Sequence, residues 1–270
     1  MTLNMEVICV GNELLIGKTL NTNAQWLAKR ATAVGVAVKR VTVVADEVQE
    51  IASAVREALR RKPRFIVTTG GLGPTFDDKT LEGIAAALSC KLEVNADALQ
   101  MVKEKYEAYA RERGGGRVEL TQPRIKMATI PEKAAAVHNP VGTAPAVQAD
   151  VNGTVLFALP GVPAEMEAIF EEAVVPLLVQ ASGGGVFREK SLYAEAIMES
   201  ALAPLIDKVM RDNAGVYVKS HPKGEEDKPR MEIHFSIKGS EANLEERLEK
   251  AVAQLAGLIG ESSGKVVGSA

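Results

Sequence analysis

The sequence predicts an α/β protein: a three-layer, mostly parallel sheet followed by a second, smaller α+β unit. Strand and helix patterns alternate as β-α-β-α-β-α from Met5 to Leu88, the order of a parallel sheet with helices on both faces. Within that alternation a glycine-rich turn, Gly70-Gly71-Leu72-Gly73-Pro74-Thr75, joins an apolar strand to a helix. Ser182-Gly183-Gly184-Gly185 then reads as a linker, and the pattern beyond it changes. The expected domains are residues 1–181 and 186–260.

Met5–Val10 is apolar enough for a buried strand, ended by Gly11-Asn12-Glu13. Thr22-Asn23 can cap a helix carrying Trp26, Leu27 and Ala31, which Gly35 stops. Val36–Val44 is a second strand, with Asp46 at its end. Ile51, Val55 and Leu59 give 48–61 helical spacing, and Pro63 follows. Phe65–Thr68 is a third strand, the glycine turn comes next, and 80–88 is a helix. Leu99, Val102 and Tyr106 mark a long helix over 96–113, stopped by Gly114-Gly115-Gly116. A loop region holds 122–127 and Ile130-Pro131, and Asn139–Pro145 is rich in turn residues. Val155–Leu159 is a strand, and Pro160-Gly161-Val162-Pro163 leads into a helix over 164–180. The second unit reads as strand 187–195, helix 199–212, strand 215–220, strand 230–238 and helix 241–259. His221–Pro229 is a polar loop between the paired strands, and the Gly/Ser-rich tail 260–270 is expected to fray.

Composition excludes several classes. Lys plus Arg is 32 and Asp plus Glu is 35, a formal charge of -3, so nucleic acid is not an expected partner. No apolar run reaches transmembrane length and the N-terminus has no signal-peptide pattern, so the expectation is a cytoplasmic protein without a membrane partner. Cys9 and Cys90 lie far apart in apolar contexts and read as small buried hydrophobes. Neither zinc-ligand spacing nor Ser-His-Asp logic is present.

The densest chemistry lies at 70–80. Gly70, Gly71 and Gly73 let backbone N–H groups approach an anion, the helix start adds a favourable dipole, and Asp77-Asp78 can hold a hard metal ion bridging to phosphate. The plainer alternative makes both aspartates N-terminal caps. Two adjacent residues rarely both point inward, and Asp78 is the one favoured. Glu13, Asp46 and Asp77-Asp78 all follow expected strands, and ligands of such sheets bind beyond the strands' carboxyl ends. Asn12 and the run Asn21-Thr22-Asn23 can contact sugar or phosphate, or serve only turns and caps. Glu13 is a further candidate metal ligand. Gly142 and Thr143, in the Asn139–Pro145 turn, and Pro160-Gly161, before a helix start, offer further anion contacts. Glu165 is either a base or metal ligand, or a carboxylate matched to its helix dipole. Arg124 and Lys126 can neutralise phosphate, though lone basic residues are usually solvated. His138 can be an acid/base group or, more commonly, a surface or packed histidine, and no chemistry is assigned to His221 or His234.

The segments Gly11-Asn12-Glu13-Leu14-Leu15-Ile16-Gly17, Thr22-Asn23-Ala24, Gly70–Thr75 with Asp77, Asp78 and Thr80, Asn139–Pro145, and Leu159–Pro163 with Glu165-Met166 resemble the N-terminal domain of the CinA proteins. That domain belongs to the molybdopterin-binding fold family, together with the MoaB/Mog-like proteins. The resemblance covers about residues 5–180, and 186–260 resembles the KH-type middle domain of CinA more weakly. No segment resembles CinA's C-terminal amidase domain, so amidase activity is not expected.

For the CinA branch the resemblance implies metal-dependent hydrolysis of ADP-ribose, a nucleotide sugar, to AMP and ribose 5-phosphate. For the Mog-like branch it implies binding or adenylylation of molybdopterin. A non-catalytic nucleotide-binding module is a third reading. Asp46 and Asp78 match the acidic pair around the Mog-like ligand, and Leu72, where Mog-like proteins usually carry Thr, favours the CinA branch. The reading thus expects Asp78, Asp46 and Glu165 as catalytic residues, and Asp78, Asp77 and Glu13 around a divalent ion (Mg²⁺, Mn²⁺ or Co²⁺). Asn12, Asn23, Gly70, Gly71, Gly73, Thr75, Asn139, Gly142, Thr143, Pro160 and Gly161 are expected to hold the phosphate or nucleotide. Potassium is a further cation candidate, and a homo-oligomer is expected.

Overall fold

In a computed structural model, residues 3–112, 119–223, 230–239, 241–262 and 264–269 are described. The expected helix stop at Gly114–Gly116 and the 224–229 part of the polar loop lie outside them. The chain divides into two compact units. Unit 1 holds Met1–Thr32 and Val36–Ala181; unit 2 holds Ala33–Gly35 and Ser182–Ala270.

Unit 1 contains β1 (Asn4–Val10), α1 (Asn12–Leu15), α2 (Thr22–Ala33), β2 (Ala37–Val44), α3 (Val48–Arg60), β3 (Phe65–Thr69), α4 (Thr80–Leu88), β4 (Leu92–Val94), α5 (Ala96–Glu112), α6 (Gln122–Met127), β5 (Thr129–Pro131), β6 (Ala135–Val137), β7 (Ala146–Val151), β8 (Thr154–Leu159), α7 (Pro163–Ile169) and α8 (Val175–Ser182). Its main sheet runs β2-β1-β3-β8-β7-β6. The first four strands are parallel, and β7 and β6 are antiparallel additions. All five residues of β3 are buried, as befits a central parallel strand covered on both faces. Edge strand β2 exposes Lys39 and Arg40, which blunts further pairing. On one face Ile8, Ile66 and Leu156 pack in a core with Ile51 and Val55 of α3 and Ile84 of α4. Each such side chain contributes about 1.5–3 kcal/mol by leaving water. Val7, Val67 and Phe157 are buried on the alternate positions.

Several local expectations change. The segment 122–127 is a helix rather than a loop, because Pro123 falls in its first turn, where a missing N–H costs nothing. Helix α2 is capped one residue earlier than expected: Asn21 Oδ1 accepts the Ala24 N–H at 3.1 Å, which frees Thr22 and Asn23 from capping. The helix expected over 164–180 is interrupted by a π-helical turn, Phe170–Val174, just before Pro176. Proline lacks the N–H of a regular turn and its ring crowds the preceding one. Phe170 meets Trp26 edge-on, ring centroids 5.5 Å apart. Cys9 is buried as expected, but Cys90 is only half-buried.

Unit 2 contains β9 (Val186–Glu195), α9 (Glu199–Asp212), β10 (Val216–Pro222), β11 (Arg230–Gly239), α10 (Leu244–Glu261) and β12 (Lys265–Ser269). The order β-α-β-β-α-β with sheet order β10-β11-β9-β12 is the split β-α-β arrangement, where the sequence expectation was a KH-type unit. The tail expected to fray supplies β12, paired to β9. Strand β11 alternates buried and half-exposed residues; Ile233, Phe235 and Ile237 face Leu202 and Val209 of α9 and Leu248 and Leu255 of α10. Among the described residues no helix is long and apolar enough to cross a membrane.

Candidate functional site

Sheet register decides which loops meet. Val10 pairs with Val44, Cys9 with Thr69, and Thr69 with Leu159, so β2, β1, β3 and β8 end at one level. Strand β1 has its sequential successor β2 on one side and β3 on the other, the switch point where open α/β sheets place ligands. Because β7 runs against β8 and β6 against β7, the 138–145 loop returns to that same edge. The loops enclose a cleft of ≈ 490 Å³.

Most of the expected residues line it. Glu13 and Asp46 stand beyond β1 and β2. Gly70, Gly71, Gly73, Asp77 and Asp78 follow β3. Pro160, Gly161 and Glu165 follow β8, and Thr143 comes from the returning loop. Five carboxylates thus face the cleft, and no Lys, Arg or His is among the described residues lining it.

The remaining expected residues act from behind. The Asn12 N–H donates to Asp46 Oδ2 at 2.8 Å and fixes that carboxylate at the mouth. Asp78 Oδ2 accepts the Thr75 N–H at 2.8 Å, and the Thr75 hydroxyl lies 2.6 Å from the same oxygen. That hydroxyl also reaches Asp77 Oδ1. One O–H proton cannot serve two carboxylates at once, so the pair keeps unbalanced negative charge. Neither aspartate caps α4, whose N-terminus has no side-chain cap. The Thr75 hydrogen bond, then a backbone N–H, hold Asp77 below the usual carboxylate pKa, and the Lys126 and Lys79 charges add to this.

Glu165 and Asn139 form a second support. Asn139 is buried, and its Nδ2 donates to Glu165 Oε2 at 2.7 Å and to the Ala144 carbonyl at 2.8 Å. Its Oδ1 accepts the Gly142 N–H at 2.8 Å. A side chain at Gly142 would overlap the Glu165 carboxylate, so glycine is required by close approach. Gly70 and Gly71 have φ of 103° and 66°, and a side chain on either would meet the Val10 carbonyl or the Thr80 hydroxyl. Thr80 is fully buried and donates to the Gly70 carbonyl at 2.7 Å, locking the turn to α4.

Asn23 serves the loops as well as the cleft. Its Nδ2 donates to Thr69 Oγ1 at 3.0 Å and to the Gly161 carbonyl at 2.8 Å, while its Oδ1 is buried without a partner. Thr69 Oγ1 donates onward to the Pro160 carbonyl at 2.8 Å. Lys126, which from sequence could neutralise phosphate or be solvated, donates to the Thr75 carbonyl. Arg124 lies over the Tyr106 ring, 3.7 Å from its centroid. Among the described residues no three His, Cys, Asp or Glu side chains are grouped to hold a metal, so Asp77, Asp78 and Glu13 form no ready-made cage.

Residues 6–180 match the family described as "Probable molybdopterin binding domain". The chain belongs to this family. A protein of Caldivirga maquilingensis is 50% identical over 252 residues, covering 92% of this chain and 94% of the relative. A protein of Metallosphaera sedula is 41% identical over 268 residues, covering 96% and 98%. Among solved structures, CinA of Thermoplasma acidophilum, a protein described as of unknown function, is 44% identical. It covers 66% of this chain and 98% of its own, with a TM-score of 0.59.

Sequence reasoning missed Cys9 and Met127 as members of the cleft, whereas Asn21, read with Thr22 and Asn23 as a polar contact, does line it. Cys9 was legible as the penultimate residue of a strand ending at the edge. Met127 was not, because its helix read as a loop. Burial pushes the Cys9 thiol up, partly offset by a hydrogen bond with Asn21, so it remains protonated at neutral pH.

Proposed function

We propose that unit 1 binds molybdopterin by its phosphate and transfers an adenylyl group onto it, joining AMP from a nucleoside triphosphate with release of pyrophosphate. The observation that carries this reading is a cleft walled by glycines and five carboxylates, without a basic side chain among its described lining residues. A phosphate dianion entering such a cleft is repelled unless a cation enters with it. The donors present are hard oxygens, which suit Mg²⁺ or Mn²⁺. Asp78 and Asp46 would each offer a carboxylate, and the ligand's phosphates would complete the shell, as Mg²⁺ favours. When bound, the cation would neutralise charge on the reacting phosphates. The chain's own contribution would be the glycine-rich 71–73 backbone, which lets an anion approach closely, with Asn12 and Thr75 holding the two aspartates and Asn139 holding Glu165 as an acceptor.

The family match supports the pterin. Leu72 favours the second reading, hydrolysis of ADP-ribose to AMP and ribose 5-phosphate: it is buried in the core beside the turn and brings no hydroxyl to the ligand. One experiment separates them. Purified protein with Mg²⁺, Mn²⁺ or Co²⁺ is given molybdopterin and ATP, or ADP-ribose. Adenylylated pterin and pyrophosphate support the first reading, and AMP release from ADP-ribose supports the second. Absence of molybdopterin binding under every metal ends the first.

A further inference from the structure

The turn after β3 leaves one residue without a place in the fold. Phe76 is 87% exposed, the most exposed of the large apolar residues described. Its neighbours are fixed on both sides. Thr75 is bonded through its amide, hydroxyl and carbonyl to Asp78, Asp77 and Lys126, and the Asp78 N–H returns to the Thr75 carbonyl at 3.3 Å. These bonds tie Thr75 to Asp77 and Asp78 while one oxygen of each carboxylate stays outside them, and the ring between them stands out in water on a pinned backbone. Pro74 and Asp77, which bracket it, line the cleft while Phe76 itself does not, so its backbone lies beside the mouth with the ring outside. Leu20 also lines the cleft and is 84% exposed. An apolar rim around a strongly acidic interior suits a ligand with a charged end and a flat apolar end.

We propose that Phe76 is the stacking platform for the fused heteroaromatic ring of the ligand whose phosphate occupies the cleft. This rests on the phosphate-ligand reading above, and both candidate ligands carry such a ring. Stacking needs only a π-face, so Phe76 selects ring-bearing phosphates over ring-free ones without reading hydrogen-bond patterns. The rigid turn lowers the ordering cost of the contact.

Equilibrium titration with AMP and with ribose 5-phosphate, both in Mg²⁺, tests it. The wild-type protein should prefer AMP by about tenfold. Phe76→Ala should remove that preference while leaving ribose 5-phosphate affinity unchanged, and Phe76→Trp should restore or increase it. The position is exposed, so the variants should melt as the wild type does. A Phe76→Ala protein that keeps the AMP preference overturns the inference and leaves the phosphate cleft standing. The same is concluded if the substitution abolishes only self-association. Wild-type protein that binds neither compound removes the reading beneath the inference, and the inference with it.

Discussion

The side-chain amide of Asn23 is hydrogen-bonded to the Gly161 carbonyl at 2.8 Å, although 138 positions separate them. The same nitrogen reaches Thr69, so one residue of α2 ties the end of β3 to the loop after β8. Asn23→Ala should destabilise unit 1 by about 1–3 kcal/mol, because two acceptors lose their donor in a half-buried setting. Denaturant unfolding measures this. Asn23→Asp should fare no better, since a carboxylate cannot donate to either oxygen.

Asp78 should matter far more for binding than for folding. Asp78→Ala removes acceptors for the Thr75 amide and hydroxyl, on a loop where the loss costs about 1 kcal/mol. Metal-dependent phosphate binding should fall by about a hundredfold or more, read by calorimetry with Mg²⁺. Asp78→Asn should recover the stability and not the binding.

Asn139 should behave in the opposite way. It is 3% exposed and serves Glu165, Ala144, Val141 and Gly142 together. Asn139→Ala leaves several of these groups unpaired, and a loss of about 2–3 kcal/mol is expected. Glu165→Gln keeps the shape and should cost less in a melting experiment. Gly142→Ala should displace the Glu165 carboxylate and weaken binding even where the protein stays folded.

The depressed pKa of Asp77 gives a signed pH effect. A carboxylate stabilised in the folded state contributes fully above its unfolded value of about 4 and loses the contribution as pH falls through its lower folded value. The melting difference between wild type and Asp77→Asn should therefore be constant near neutrality and shrink below about pH 4. A difference that grows on acidification would contradict the assignment.

The two thiols should differ in reactivity. Cys9 is buried, with its thiol pushed above the usual value, whereas Cys90 is half-buried. Iodoacetamide at neutral pH should label Cys90 first in the native protein, and mass spectrometry of digests reads the order.

The parts of the site that could be read from sequence were those encoded locally. Gly70–Thr75 with Asp77-Asp78 announces itself because the turn needs glycine and the carboxylates sit within the same few residues. Parallel alternation likewise placed Asp46 and Glu13 at one edge. What stayed hidden depends on distant partners. Nothing near Asn23 in sequence signals Thr69 and Gly161, and nothing near Thr75 signals Lys126. Strands β6 and β7 were passed over because their short, alanine-rich pattern matches no strand template, and their pairing to β8 is what makes them strands. The small strand β12 escaped notice for a similar reason: a glycine- and serine-rich tail acquires order only from its neighbour β9.

The reversed β6–β7 hairpin gives the cleft a wall that purely parallel winding would not supply. Strands β1, β2, β3 and β8 each release one loop at the shared rim, and the reversal folds one more back among them, bringing Asn139 to Glu165. This sheet can therefore be regarded as separable parts: a parallel frame that defines the opening, and an antiparallel flap whose length or sequence can be altered to resize it while the frame stays as it is.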